Sequence, residues 1–228
     1  MYKKVCCMLA WIPVSVFWFV SPLKAQNLKS LWFRSQYGPD TTQVAANLDL
    51  AWFYVKSRTD SSLFYASRAL RKSIETNYVL GQMRAHSNLG VAYAMAGDMK
   101  SSIDHNLKTY ELAVALKRYK AYPVALINIA NGYYEMKDYS NALHYYNKTI
   151  AEAQLQKDLP TRISALNEMS DVYAKLGEFE KAAEVGNQAF RMAEDCHDSL
   201  RMAQNLYITA ERESVCKNYA KSTDCLLR

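Results

Sequence analysis

Apolar residues fall three and four apart along most of the chain, the spacing that gathers side chains on one face of a helix. Leu89, Tyr93 and Ala96 form one such stripe, and Ile103 and Leu107 form the next. Between the two stripes lies Gly97-Asp98-Met99. Gly97 suits a left-handed helix stop, and Asp98 suits the first turn of a following helix through its charge and its side-chain acceptor. Residues 88–107 therefore read as a helical hairpin.

The hairpin recurs. Leu89-Gly90-x-x-Tyr93 returns 40 residues on as Ile129-Ala130-x-x-Tyr133, and again as Met169-Ser170-x-x-Tyr173. Each tyrosine is followed by a turn: Gly97-Asp98-Met99, Lys137-Asp138-Tyr139, Gly177-Glu178-Phe179. Small residues three or four apart mark the second helices, with Ala142 and Thr149 beside Tyr146 in one copy and Ala182, Gly186 and Ala189 in the next. A repeat of this length is the signature of stacked two-helix units, whose small residues let the helices of a pair approach closely. The pattern predicts an all-α solenoid of antiparallel helix pairs with about five units, near 41–78, 79–118, 119–158, 159–197 and an incomplete 198–228.

The first unit diverges, with Leu50-Ala51-x-x-Tyr54 on one helix and a helix start at Asp60. Pro123 and Pro160 lie near the starts of first helices, where proline is tolerated. The fifth unit carries Leu206, Tyr207 and Ala210, then Asn218-Tyr219-Ala220-Lys221. Residues 26–40 are expected to hold a short amphipathic helix in which Leu28, Leu31, Trp32 and Phe33 cover the apolar end of the stack, closed by Gly38-Pro39-Asp40.

Asn88-Leu89-Gly90-x-x-Tyr93-x-x-x-Gly97-Asp98, Tyr133 to Ala142, and Tyr173-x-x-x-Gly177-Glu178-x-x-x-Ala182 resemble tetratricopeptide repeats, in a long-period bacterial variant. The resemblance implies a right-handed superhelix whose first helices line a concave groove. The sequence departs from the family pattern at Lys137, in place of the turn glycine, at Ser102, in place of alanine, and at Asn106, where an aromatic is usual; these departures imply weaker packing.

The start of the chain is different material. Lys3 and Lys4 precede an uncharged apolar run from Val5 to Val20, and Ser21-Pro22-Leu23-Lys24-Ala25 ends on a small residue. This predicts a cleavable export signal cut after Ala25, the alternative being a retained anchor, although a full membrane span needs about 20 apolar residues. The expected localisation is periplasmic or extracellular, in a Gram-negative bacterium. Loss of Lys3, Lys4 and Lys24 lowers the formal charge of +6 by three, to +3. With basic residues interspersed among acids and no aromatic-basic platform, nucleic acid is not an expected partner, nor is a membrane once the signal is removed. Cys196, Cys216 and Cys225 remain, an odd number that leaves at least one thiol free or intermolecular. Cys216 and Cys225 flank a turn and are the pair that could bridge.

No catalytic constellation stands out. The four histidines, His86, His105, His144 and His197, lie on different elements with no His-Glu-x-x-His and no Cys-x-x-Cys. His105 and His144 are expected on neighbouring second helices, close enough to approach. Cys196-His197 are adjacent and point apart, which is a poor arrangement for a nucleophile and its base. Neither an enzyme activity nor a cofactor is expected.

The repeat register then supplies the candidate groove: Arg84, Ser87, Val91 and Met95 from the second unit, Ile127, Asn131, Tyr134 and Glu135 from the third, and Asn167, Asp171 and Lys175 from the fourth. Chaperone-binding members of the family clamp a peptide carboxylate with Lys, Asn and Arg; here only Asn131 and Arg84 fit that chemistry. The functional expectation is an exported, non-catalytic scaffold that binds a protein or peptide, with homo-oligomerisation through the C-terminal unit as a further expectation. The alternative is the sensory front part of a membrane-anchored bacterial regulator whose output part would lie beyond Arg228.

Overall fold

The computed structural model describes residues 22–215, with side chains from 27 to 210. Cys216, Cys225 and Asn218-Tyr219-Ala220-Lys221 lie outside the described residues, as does nearly all of the expected export signal. Among the described residues ten α-helices follow one another: α1 (Pro22–Tyr37), α2 (Asp40–Tyr54), α3 (Thr59–Glu75), α4 (Val79–Ala96), α5 (Met99–Ala115), α6 (Tyr122–Glu135), α7 (Tyr139–Leu155), α8 (Leu159–Lys175), α9 (Phe179–Asp195) and α10 (Ser199–Val215). A 3₁₀ turn, Tyr119–Ala121, precedes α6, and no strand occurs among the described residues. Pro123 and Pro160 fall in the first turns of α6 and α8, where a missing N–H breaks no helical bond.

Each helix packs against the next, giving antiparallel pairs α2/α3, α4/α5, α6/α7 and α8/α9, with α10 docked on the last. The first helices α2, α4, α6, α8 and α10 also touch one another in succession, whereas α3, α5, α7 and α9 do not. The stack is therefore narrower on the side of the first helices, which form its inner face.

The core is a ladder of small clusters, each shared by consecutive helices. Val44 and Leu48 of α2 meet Ala69 of α3 and Ala85 of α4. Ala130 of α6, Ala142 and Tyr146 of α7, and Ala165, Met169 and Val172 of α8 form the largest. At each pair the residues at the crossing divide the space between them. A Cβ on Gly90 would lie 2.4 Å from the Asn106 amide nitrogen, and one on Gly186 would lie 2.9 Å from the Ser170 hydroxyl. Where the first helix carries Ala130, the second carries Tyr146, fully buried.

The joints between helices repeat one geometry. Asn77, Gly97, Lys117, Lys137, Lys157, Gly177 and His197 all have positive φ, between 52° and 83°. At each, the following N–H reaches back to a carbonyl five residues earlier, as from Asp98 to Tyr93, Asp138 to Tyr133 and Asp158 to Ala153. Asp98, Asp138, Asp158 and Asp198 then accept from the backbone N–H three residues on. Lys137 thus takes the left-handed conformation of the glycine that it replaces.

The N-terminal helix covers the stack with a different stripe from the one expected. Leu28 and Leu31 are half-buried and Ser35 is fully buried, whereas Trp32 is 46 % and Phe33 58 % exposed. At about 100° per residue Phe33 points away from the stripe through Leu28, Leu31 and Ser35, while Trp32 lies at the edge of that stripe and stays half exposed. The Ser35 carbonyl accepts from the Asn47 amide of α2, and Arg68 of α3 donates to Gln36.

A left-handed lysine carries about 1–2 kcal/mol of strain that glycine lacks, offset by the 0.4–1 kcal/mol that glycine costs through the unfolded chain. Lys137→Gly should therefore stabilise the protein by about 0.5–1 kcal/mol, a rise in Tm of about 1–4 °C in thermal melts followed by circular dichroism. A lower Tm would show that the Lys137 side chain contributes more than its backbone strain removes.

Candidate functional site

The first helices form the inner face, and the eleven candidate groove residues, all on α4, α6 and α8, fall into three groups. Arg84 is exposed and Ser87 half-buried; with Asn88, Thr109 and Val124 they line a small cavity of about 240 Å³ between α4 and α6. Val91, Met95, Asn131 and Glu135 line a second cavity of about 420 Å³ in the same interval, floored by Ser102 and Asn106 of α5. Of the remaining five, Tyr134, Asp171 and Lys175 gather where α6 meets α8. There the Tyr134 hydroxyl donates to Asp171, and Lys175 lies 3.8 Å from the same carboxylate.

Two of the candidates do not face the groove. Asn167 is fully buried beneath α10: its amide oxygen accepts from Asn205 at 2.8 Å, and Asn205 also donates to the Gly186 carbonyl at 2.8 Å. Gly186 has no side chain at the crossing, so α10 inserts Asn205 there and seals Asn167. Ile127 packs half-buried against the cluster of α6, α7 and α8 and lines neither of these cavities.

Asn131 remains exposed although its amide oxygen accepts from the Tyr146 hydroxyl at 2.7 Å. Burial raises the affinity of both the Tyr134 and Tyr146 phenols for their protons, and the nearby acids reinforce this. Both therefore act as neutral hydroxyl donors.

Glu168 belongs to this region and the sequence reading missed it. Burial pushes its carboxyl up to about 7, and Asp171 and Glu135 push in the same direction against a hydrogen bond from Gln204 at 2.9 Å. A signal was available: Asn88, Asn128 and Glu168 lie 40 apart and are all polar in otherwise apolar surroundings. Asn88 donates to the Leu48 carbonyl and Asn128 to the Asn106 side chain, so the position joins neighbouring elements by a polar contact each time.

The histidine pairing also differs from expectation. His105 meets His86 of its own hairpin, with the two Nδ1 atoms 2.8 Å apart, and stacks on Tyr93 at 5.3 Å. His144, on α7, contacts Tyr145 instead. Since α5 and α7 do not touch, His105 and His144 have no route to approach. Burial lowers the pKa of both paired rings; the His86 value falls to about 4, with His105 and Lys108 acting in the same direction and Glu111 against it. Among the described residues, no three His, Cys, Asp or Glu side chains cluster as metal ligands, and no helix is long and apolar enough to cross a membrane. Cys196 is an exposed free thiol beside the left-handed His197.

The tetratricopeptide-repeat pattern matches residues 81–151 and 122–195, together half of the chain. The chain belongs to the tetratricopeptide-repeat family. No curated protein matches it significantly. Among solved structures, its tetratricopeptide stack resembles aspartyl phosphate phosphatase F from Bacillus subtilis, with a TM-score of 0.75 and 17 % identity over 90 % of this chain; the chain spans 64 % of that protein. A Rap protein complexed with competence and sporulation factor gives 0.68 at 15 % identity, over 90 % of this chain and 71 % of that one. A signal-transduction ATPase with numerous domains and a tetratricopeptide repeat sensor, from Pyrococcus horikoshii, gives 0.77 at 15 % identity, over 88 % of this chain and 32 % of that one. At these identities the likeness is one of fold.

The buried histidines and Glu168 make opposite contributions to stability between pH 4 and 7. His86 binds a proton in the unfolded chain before it does so in the native one, so its contribution is lost as pH falls below about 6.5. Glu168 holds its proton longer in the native state, so its contribution is present below about 4.5 and lost as pH rises toward 7. Replacing Glu168 by Gln should leave a Tm that rises from pH 4.5 to 7, and replacing His86 and His105 together by Gln should leave one that falls. Identical pH slopes for the two variants in differential scanning fluorimetry would refute the assignment.

Proposed function

We propose that this tetratricopeptide-repeat chain is an exported, non-catalytic scaffold that holds a protein or peptide partner along the inner face of its first helices. The observation that carries the reading is that the first helices pack against one another in succession while leaving Arg84, Met95, Asn131, Glu135 and Lys175 exposed on them. An extended segment lying across α4, α6 and α8 meets alternating apolar contacts and amide or charged groups, which suits both main-chain and side-chain recognition. The complex of a Rap protein with competence and sporulation factor is consistent with a partner of this kind. Export rests on the basic start, the apolar run and the small residue at Ala25.

Peptides selected on the protein from a random library should bind the wild-type chain. They should lose about tenfold or more in affinity when Met95, Asn131 and Glu135 are replaced together by Ala, with far-ultraviolet circular dichroism unchanged. Undiminished affinity in fluorescence anisotropy would remove the inner face from the proposal. Export has its own check: N-terminal sequencing of the protein recovered from a Gram-negative host should begin at Gln26, and recovery of the uncut chain from the cytoplasm would contradict it.

A further inference from the structure

The cavity over Asn106 occupies a place that the next unit fills with its own aromatic ring. Tyr146 is fully buried among Ala130 of α6, Ala142 of α7 and Val172 of α8, and its hydroxyl reaches Asn131 at the inner face. The corresponding residues 40 positions earlier are Asn106, Gly90, Ser102 and Gly132, and all four line the cavity. Tyrosine has become asparagine, so the ring is missing, whereas the place of the valine is taken by Ile103, whose Cγ1 would lie 2.6 Å from a Cβ on Gly132.

Asn106 cannot swing out to fill the space. It is buried, its amide is tied to the Ser102 carbonyl at 2.9 Å, and its oxygen accepts from Asn128. The volume of about 420 Å³ lies in the range of small-molecule sites, roughly 300–1,000 Å³. Val91, Met95 and Met99 add apolar walls, and methionine sulfur packs favourably at the edges of aromatic rings. The Asn128 and Asn131 amides can meet a hydroxyl at the end of such a ring.

The mouth of the cavity carries one acidic side chain. Glu135 is exposed at its rim, and its charge is felt at Glu168, beside Asp171. A cation carried next to the ring would lie against Glu135.

We propose that the cavity between α4, α5 and α6 receives an aromatic side chain of the partner, presented next to a positive charge. This rests on the reading of the inner face as the binding surface, and adds the chemistry of the occupant. The ring takes the place that Tyr146 holds one unit later, and the cation faces Glu135.

The test uses tyramine, which joins a phenol to an ammonium, and 3-(4-hydroxyphenyl)propionate, which joins the same phenol to a carboxylate. With the protein carrying ¹³C-methyl methionine, tyramine should shift the Met95 and Met99 signals and leave the signal of Met169, packed in the Tyr146 cluster, in place. The propionate should bind about tenfold more weakly, and Glu135→Gln should narrow that gap without removing binding. Asn106→Tyr, which rebuilds the arrangement of the next unit, should abolish the shifts while helicity is kept. Absence of shifts at Met95 and Met99 in the wild-type protein, or equal shifts in a folded Asn106→Tyr variant, would overturn the cavity as a receptor. Equal affinity for the two probes would overturn the charge preference. The probes need no partner protein, so their failure tells against the cavity alone, whereas undiminished peptide binding after the triple alanine replacement tells against the inner face.

Discussion

Everything in this stack depends on how close two helices of a hairpin can come. Interiors pack as densely as organic crystals, so the two residues at a crossing must share a nearly fixed volume. Gly90 with Asn106, Ala130 with Tyr146, and Ser170 with Gly186 are three divisions of that volume, and each has a different effect beyond the hairpin. The large ring of Tyr146 fills the interval toward α8 and presents a hydroxyl to Asn131. The glycine at 186 leaves room for a neighbour's side chain, and Asn205 takes it. The pair with asparagine fills neither role, and an open cavity results.

Much of the fold was legible because its signals are local. Tyr93, Tyr133 and Tyr173, the small residues that follow them and the Gly97 and Gly177 turns are visible without knowing which helix touches which. The groove was legible only in part, because register states which residues lie on a first helix and not what covers them. Asn167 is on the expected face yet lies under α10, a consequence of Gly186 and Asn205 that no single hairpin contains. Trp32 and Phe33 show the same limit from the other side. Their apolar character suggested a cap, but the docking stripe of α1 is decided by what α2 offers to Ser35.

The polar interior was the least legible. Asn88, Asn128 and Glu168 are spaced like core residues and coloured like surface ones. A buried polar group is retained only where a partner meets it, and those partners, a main-chain carbonyl of α2, a side chain of α5 and an amide of α10, come from three different relationships. The histidine pair has the same origin. His86 and His105 are nineteen positions apart and meet because a hairpin folds its second helix back on its first.

The seven joints bear on how such a chain can change over generations. At each one the closing bonds run from main chain to main chain, and glycine, asparagine, lysine and histidine all occupy the same left-handed position. A joint whose closing bonds require no particular side chain accepts a duplicated or deleted hairpin without renegotiating the bend. Copies so gained begin alike and then diverge at the crossing residues, where exchanging one side chain for a smaller one turns a packing position into an empty receptacle. Variation in the number of units and variation in what they hold can thus proceed independently in this architecture.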